Sequence, residues 1–328
     1  MMCSLSDMPD IPMDLILNYV GFPSILALQK VSSSFRNYID EKNPDFKIIA
    51  VDVVVEYEEV RVDWISDSEC TEICYKYQIN GCMVTKDNTE KVMEDCNFLE
   101  AFCNDYKLIM AHQKTVLRRF HLDLRSTAKT QSLMEFLKKF EDTLKSLPLK
   151  TAYLDLGVCR GNEVMRILQY SDANFLKEIR LFSTSFFERK VHLEEVVKLE
   201  QWKNLSKFST RNLTIDVAIQ HFTHFAVINA EFKPLYAEDL DVLRRTAMKS
   251  TNFEMFHVEY HNFDDNRRLA ELFGIPFRRT IGNNKKQWFF NTSNPGKVLE
   301  IVHWQNFDRI NFSLIGVNSV PDGAEVKD

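Results

Sequence analysis

The N-terminal forty residues place apolar side chains three or four positions apart, which is the spacing of helices. Apolar positions around Ile16 and Val20 predict a first helix that ends at Gly21. Ser24 is a candidate N-cap for a second helix, and the serine run 32–34 can cap a third. Since three helices this short bury little apolar surface alone, we expect them to pack against a partner or against the following domain.

Beyond residue 46 the pattern changes to that of strands. Residues 51–62 are rich in β-branched side chains and partly alternate, which predicts two strands. Asn80-Gly81 lies between two further strand-like runs, and this dipeptide is typical of a tight hairpin turn. Residues 98–115 then return to a helical period. The sequence therefore predicts β-hairpins followed by a helix.

After residue 113 the chain repeats a motif whose first, fourth and sixth positions are mostly apolar. Amphipathic segments separate the copies, and the clearest of them carries Leu133, Phe136 and Phe140. Strands and helices that alternate at a period of roughly 20 to 30 residues are typical of a solenoid. The copies begin at Leu117, Leu149, Leu176, Leu205, Phe225 and Phe253.

This alternation leaves two architectures open. A doubly wound α/β sheet also alternates strands with helices, but its strands are buried on both faces and carry longer runs of Val and Ile. We therefore predict an α/β (α+β) protein, in which three helices and β-hairpins precede an irregular β/α solenoid. Its units resemble leucine-rich repeats without the asparagine that normally follows the strand.

Composition and charge narrow the class of protein. The chain has 328 residues with 25 Phe, and a hydrophobic fraction of 45% is enough for a large core. Its 41 basic and 47 acidic residues give a net charge of −6, which argues against direct binding to nucleic acid. The N-terminus does not resemble a secretory signal, and no apolar run reaches the roughly 18 to 20 residues that span a bilayer. We therefore expect a cytoplasmic or nuclear protein without membrane contact.

A zinc site has to be weighed, because five of the seven cysteines lie within one stretch. No Cys-x-x-Cys pair occurs, and the separations match no common zinc motif, which favours reduced core thiols and no metal. The segment HVEYH at 257–261 resembles a metalloprotease motif, but its Glu stands in the wrong position and on a predicted strand. The five cysteines are Cys70, Cys74, Cys82, Cys96 and Cys103.

No arrangement typical of an enzyme stands out. The nine glycines form neither a phosphate-binding loop nor a nucleophile elbow. Asp123 and Asp155 occupy equivalent positions of successive repeats, and paired carboxylates can be catalytic. In a solenoid such residues more often belong to a binding surface, which we prefer. We predict no catalytic residue and no cofactor.

The N-terminal helices resemble an F-box of the large nematode F-box family. Met8-Pro9 stands where the family has Leu-Pro or Met-Pro, residues 22–31 (FPSILALQKV) match its central run, and Phe35 takes the place often held by Trp. The strand pair, the repeats and the closing strand-rich segment resemble the FTH domain that accompanies this F-box. Pro12 lies inside the first helix of the family, so we expect that helix to begin at Met13.

The resemblance implies a function and a domain organisation. In this family the F-box is taken to bind the Skp-type adaptor of a cullin–RING ubiquitin ligase. The chain would then be a non-catalytic receptor that holds a protein substrate near the conjugating enzyme. A second hypothesis is a ubiquitin-independent scaffold that binds an RNA-binding or other regulatory protein. The expected segments are an F-box at 8–41, a hairpin-rich connection at 46–112, an FTH repeat domain at 113–316 and a disordered tail at 317–328.

Two sets of binding residues follow from the resemblance and from strand alternation. Apolar residues of the first helices are expected to contact the adaptor, while Phe35 and Ile39 point inward. The fifth and seventh residues of each repeat strand point away from the core, and Phe182 is the strongest substrate-binding candidate among them. The adaptor set is Met8, Pro9, Ile16, Val20, Ile25, Leu28 and Val31. The substrate set is His121, Asp123, Tyr153, Asp155, Arg180, Phe182, Arg211 and Glu231.

Overall fold

The computed structural model of the protein describes residues 9–87, 89–125, 130–184, 190–261, 263, 265–277 and 285–328. Contacts divide the chain into two compact units. Unit 1 comprises residues 1–155 and 170–175, and unit 2 comprises residues 156–169 and 176–328. Within the described ranges, no helix combines the length and the apolar character needed to cross a membrane.

Three short helices open unit 1, as the apolar spacing predicts. They are α1 (Asp10–Tyr19), α2 (Phe22–Val31) and α3 (Ser33–Lys42). The expected start of the first helix at Met13 is wrong, because Pro12 falls in the first turn of α1, where a backbone N–H has no partner inside the helix. The expected N-cap Ser24 is also wrong, since α2 begins at Phe22 with Gly21 as its N-cap.

The predicted cap of the third helix is confirmed. The Ser32 side chain accepts a hydrogen bond from the Phe35 N–H at 3.2 Å. Ser32→Ala is expected to destabilise α3 by about 1 kcal/mol, because an N–H of the first turn loses its acceptor. Faster hydrogen exchange of the α3 amides would measure this loss. Ser33→Ala is the control, because Ser33 is exposed, and an equal effect of both substitutions would contradict the capping role.

The rest of unit 1 is a mixed sheet covered by two helices. Its elements are β1 (Ala50–Val55), β2 (Glu59–Ile65), β3 (Cys70–Gln78), β4 (Gly81–Lys86), β5 (Thr89–Glu94), α4 (Phe98–Ala111), β6 (Leu117–Leu124), α5 (Thr130–Ser146) and the first five residues of β7 (Thr151–Val158). The strand order is β7-β6-β1-β2-β3-β4-β5, with β6 parallel to β1 and antiparallel pairs from β1 to β5. The predicted hairpin is present between β3 and β4, but its two-residue turn is Ile79-Asn80, one residue before the predicted Asn80-Gly81, because Gln78 pairs with Gly81.

Aromatic side chains join the helices of unit 1 to one face of its sheet. The ring of Phe140 in α5 lies 6.1 Å from that of Phe120 in β6 and 5.9 Å from that of Phe102 in α4. Phe22 of α2 lies 6.1 Å from Trp64 of β2, and both side chains are fully buried. The N-terminal helices therefore pack against the strands that follow them in unit 1.

Unit 2 likewise contains both parallel and antiparallel strands. Its elements are α6 (Gly161–Leu168), β8 (Glu178–Ser183), β9 (Lys190–His192), α7 (Glu200–Lys203), β10 (Lys207–Asp216), β11 (Val227–Phe232), α8 (Ala237–Lys249), β12 (Met255–Tyr260), α9 (Asn266–Phe273), β13 (Lys285–Asn291), β14 (Lys297–Trp304), β15 (Arg309–Gly316) and β16 (Val326–Lys327). Strands β8, β10, β11 and β12 are parallel neighbours, and β9 also pairs with β10. Strands β15, β14 and β13 then continue the sheet in antiparallel fashion.

All six strands predicted from the repeat are present as β6, β7, β8, β10, β11 and β12. The fold is mixed α/β, as predicted, with three helices ahead of the first strand. The antiparallel strands β13 to β15 do not continue the strand–helix alternation, because only turns and short loops separate them. In the segment 317–328, for which the sequence predicts a disordered tail, Val317–Ser319 form a 3₁₀ turn and β16 pairs with β13.

Candidate protein-binding surfaces

Helix α1 carries an apolar stripe that faces solvent. Ile11, Leu15 and Tyr19 follow one another at intervals of four residues, so they lie on one side of the helix. Their exposed fractions are 76%, 55% and 88%, whereas Met13 and Leu17 on the other side are buried. A row of large apolar side chains on a surface is typical of a partner-binding site.

Contacts with α3 hold α1 in this orientation. The Tyr38 hydroxyl donates to Asp14 Oδ1 at 2.7 Å and lies 3.0 Å from the carbonyl oxygen of Asp10. Helix α3 is in turn anchored by Phe35 and Ile39, which are both buried, as the sequence predicts. The outer side of α1 is therefore fixed in place before any partner binds.

The structure distributes the predicted adaptor-binding residues over both sides of the helices. The prediction that Ile25 lies on the outer surface is wrong, because its side chain is 1% exposed and shares the inner side of α2 with Phe22. The stripe of α1 was missed, although its four-residue spacing is visible in the sequence, because Leu17 and its neighbours offer a second apolar face in the same helix. Pro9 and Val31 are exposed, Ile16, Val20 and Leu28 are half-buried, and Met8 lies outside the described residues.

In unit 1, the predicted outward residues of β6 and β7 form ion pairs. His121 Nδ1 lies 2.8 Å from Asp155 Oδ2, whereas Asp123 pairs with Arg125 at 3.2 Å. Asp123 and Asp155 therefore have different basic partners, which is not the arrangement of two carboxylates that share a proton. Asp155 is also buried, and Tyr153 is half-buried, so this part of the predicted surface is less open than expected.

In unit 2, Arg211 of β10 lies on the surface beside Phe182 of β8. The register between β10 and β11 shifts between Ser209 and Thr214, and Asn212 has a φ of 54°. Arg211 is exposed, and its guanidinium carbon lies 5.2 Å from the centre of the Phe182 ring. Arg211 stands opposite Phe182 in the register of β8 and β10, so a cation lies beside an aromatic ring, as strand alternation predicts.

Glu231 and Arg180, two further predicted residues of unit 2, differ in their surroundings. Glu231 accepts a hydrogen bond from the Thr214 hydroxyl at 2.6 Å, and His261 Nε2 lies 3.0 Å from the same carboxylate. Arg180 is half-buried and stands opposite Ser209 in the register of β8 and β10. The face formed by the parallel strands of unit 2 is therefore polar and largely engaged in its own contacts.

Phe182 is buried, which contradicts its predicted place on an open surface. Its side chain is 7% exposed. The ring packs over Gly157, where an added Cβ would come within 2.6 Å of two ring carbons, and Arg211 covers its other side. Alternation identifies the two faces of a strand, but it does not reveal that a glycine across the sheet makes room for a ring.

No metal site is found among the described residues, where no three His, Cys, Asp or Glu side chains come together. In the HVEYH segment, His257 Nε2 pairs with Glu259 at 3.2 Å. The cysteines of the described residues are free thiols, and burial raises the pKa of Cys74 to about 12 and the pKa of Cys82 and Cys103 to about 11. These thiols keep their protons at neutral pH, so they are poor ligands and poor nucleophiles.

Two domain families match the chain, and they confirm the resemblance seen in the sequence. The F-box domain matches residues 5–47, and the FTH domain matches residues 134–277. The chain therefore contains an F-box and an FTH domain, and an F-box implies binding to a Skp-type adaptor. It is similar to F-box A protein 224 of Caenorhabditis elegans, with 24% identity over 298 residues that cover 89% of this chain and 75% of that protein. No solved structure matches the chain.

Proposed function

We propose that this protein is the substrate-recognition subunit of a Skp–cullin–F-box ubiquitin ligase in the cytoplasm or nucleus. The observation that carries the proposal is the exposed stripe of Ile11, Leu15 and Tyr19 within the F-box. Isolated exposed apolar residues need no explanation, but three in a row on a helix that is otherwise packed inward favour a partner. We assign this stripe to the Skp-type adaptor, which connects the chain to a cullin.

The adaptor-binding face extends from the stripe to the predicted residues that are at least partly accessible. Pro9 precedes α1, and Ile16 and Val20 flank its outer side, while Leu28 and Val31 lie on the accessible side of α2. Ile25 lies on the buried side of α2 and supports this face from the interior. Its truncation would destabilise the module without removing a contact to the adaptor.

The FTH domain is proposed to bind a protein substrate through the polar face of its parallel strands. We interpret these strands as an irregular solenoid that resembles leucine-rich repeats, and repeat proteins commonly bind on such a face. His261, whose side chain is 60% exposed, pairs with Glu231 on this face, and a contact with so exposed a side chain contributes only about 0 to 1 kcal/mol, so a substrate can replace it at little cost. Arg211 supplies a cation there that stands over an aromatic ring.

The chain contributes proximity and no bond-making step. A receptor that holds the substrate raises the effective concentration of its lysines near the conjugating enzyme. The alternative of catalysis by Asp123 and Asp155 is weakened by their separate partners, Arg125 and His121. The scaffold hypothesis shares this architecture and differs only in adaptor binding.

Adaptor binding tests the proposal. Leu15→Asp combined with Tyr19→Ala is expected to weaken the binding of a purified Skp-type adaptor at least a hundredfold, because truncating one good interface anchor costs roughly 2 kcal/mol or more. Isothermal titration calorimetry with the full chain would measure the change. Val92→Asp is the matched control, because Val92 is an exposed apolar residue of β5 in the same unit.

Each outcome of this titration is informative. Loss of binding in the double variant, with an unchanged melting temperature, supports the stripe as the adaptor face. Full binding by the double variant would show that the adaptor docks elsewhere. A wild-type chain that does not bind the adaptor at all would contradict the ligase and favour the scaffold.

A further inference from the structure

A cleft on the helix side of the unit 1 sheet is distinct from both proposed surfaces. Helices α2 and α4 stand apart there and leave a cavity of about 480 Å³ between them. Its floor includes Ile73 of β3 and Val84 of β4, and its walls include Leu26 of α2 and Leu108 of α4. Leu108 remains 51% exposed in the cleft. The volume lies within the range of about 300 to 1,000 Å³ that is typical of ligand sites.

The side of α2 that lines the cleft is not the side assigned to the adaptor. Pro23, Ala27 and Lys30 are three or four residues apart and all line the cleft. Leu28 and Val31, which belong to the proposed adaptor face, do not line it. The two surfaces of α2 can therefore be occupied separately.

The margin of the cleft is positively charged. Lys30, Arg36 and Lys86 line it, whereas Asp105 is the one carboxylate among the described residues of its lining. Asp105 Oδ2 accepts a hydrogen bond from the Tyr75 hydroxyl at 2.7 Å, so this carboxylate already has a partner. Apolar walls with a cationic margin complement a ligand that is apolar on one side and acidic on the other.

Existing contacts leave these cations available. The Lys86 ammonium lies 3.8 Å from the Asp87 carboxylate, but both side chains are exposed, and such a pair contributes about 0 to 1 kcal/mol. Arg36 Nε donates to the carbonyl oxygen of Gln29 at 3.2 Å, which leaves the rest of its guanidinium for a second acceptor. Among the described residues, no ion pair is formed by Lys30 or Arg36.

We infer that this cleft binds a short acidic peptide segment of a partner protein. Apolar side chains of the segment enter between Leu26 and Leu108, and its carboxylates pair with Lys30, Arg36 and Lys86. Amphipathic segments that lie in a groove between helices are a common mode of peptide recognition. This inference does not depend on adaptor binding, because none of the α1 stripe residues lines the cleft.

An unbiased peptide selection tests the inference. A phage-displayed library of random short peptides is selected on the full chain, and the enriched peptides are synthesised with a fluorophore for anisotropy titrations. We expect enriched peptides that combine Asp or Glu with Leu, Ile or Phe. Lys30→Glu with Lys86→Glu is expected to weaken their binding at least tenfold, and Ala27→Arg is expected to do the same by filling the cleft.

Lys138→Glu is the charge control, because Lys138 is exposed on α5 and does not line the cleft; it is expected to change affinity less than twofold. Enriched peptides that are neutral or basic would overturn the inference, as would the absence of enrichment. Peptides whose binding survives Ala27→Arg would also overturn it. Displacement of the peptides by the purified Skp-type adaptor would show that the cleft belongs to the adaptor's interface, and full peptide binding in the presence of adaptor supports a separate partner.

Discussion

Replacing Phe182 by alanine is expected to lower the free energy of unfolding of unit 2 by about 3 to 5 kcal/mol, the usual cost of truncating a buried Phe. The ring is almost wholly buried, packs over the backbone of Gly157 and is covered by the guanidinium of Arg211. Truncation therefore leaves a cavity that Gly157 has no side chain to fill. Urea unfolding followed by circular dichroism would measure the loss.

Two further variants separate packing from surface binding. Phe182→Leu keeps much of the buried volume and is expected to retain more than half of the lost stability. Arg211→Ala is expected to cost about 0.5 to 1 kcal/mol, because the cation is exposed and a contact of this kind with a ring is weak in water. A loss below about 1 kcal/mol for Phe182→Ala would show that the ring is accessible, as the sequence alone suggested.

The secondary structure was largely predictable because the spacing of apolar residues along the chain follows the period of the helix or strand that they form. The six repeat strands and the hairpin of β3 and β4 follow from local patterns, and so does the Ser32 cap. Helix starts were less predictable, because Pro12 and Pro23 lie in first turns where proline is tolerated. A pattern therefore gives the type of element more reliably than its first residue.

The candidate surfaces were less predictable than the fold, since a period does not show which face is covered. Ile25 and Phe182 have the spacing of exposed residues on their elements, yet Ile25 lies on the buried side of α2 and Phe182 packs over Gly157. The sequence also suggested Asp123 and Asp155 as a pair. In the structure Asp155 pairs with His121 instead. Which side chains come within reach of each other depends on the strand register, which the sequence pattern does not give.

The cleft between α2 and α4 was not predictable either, because periodicity also does not show which apolar residues remain uncovered. Leu108 is an apolar residue of the segment 98–115, for which the sequence predicts a helix, yet it is 51% exposed. Its neighbours in space, Leu26 and Val84, come from distant parts of the chain, so no local pattern joins them. Cavities between elements depend on how far the elements stand apart, which propensity and periodicity do not encode.

A buried histidine makes unit 2 sensitive to acid. His303 is 1% exposed, and the Tyr260 hydroxyl lies 2.6 Å from its Nε2 atom. Burial, with a smaller contribution from the Lys286 charge, lowers the pKa of His303 from 6.5 to about 4. Above pH 6.5 both the folded and the unfolded forms hold a neutral imidazole. As the pH falls from 6.5 towards 4, only the unfolded form takes up the proton, so stability decreases in this window.

We therefore expect the free energy of unfolding to fall by about 3 kcal/mol between pH 7 and pH 4 on account of His303, at 1.36 kcal/mol for each unit of pKa difference. His303→Gln keeps a hydrogen-bonding partner for Tyr260 but does not titrate, so its stability should decline less over this range. His112 and His224, whose pKa values are also lowered by burial, contribute equally to both proteins. His221→Gln, at an exposed position of unit 2, should follow the wild-type curve. Urea unfolding across this pH range distinguishes the cases, and parallel curves for wild type and His303→Gln would refute the role of the buried imidazole.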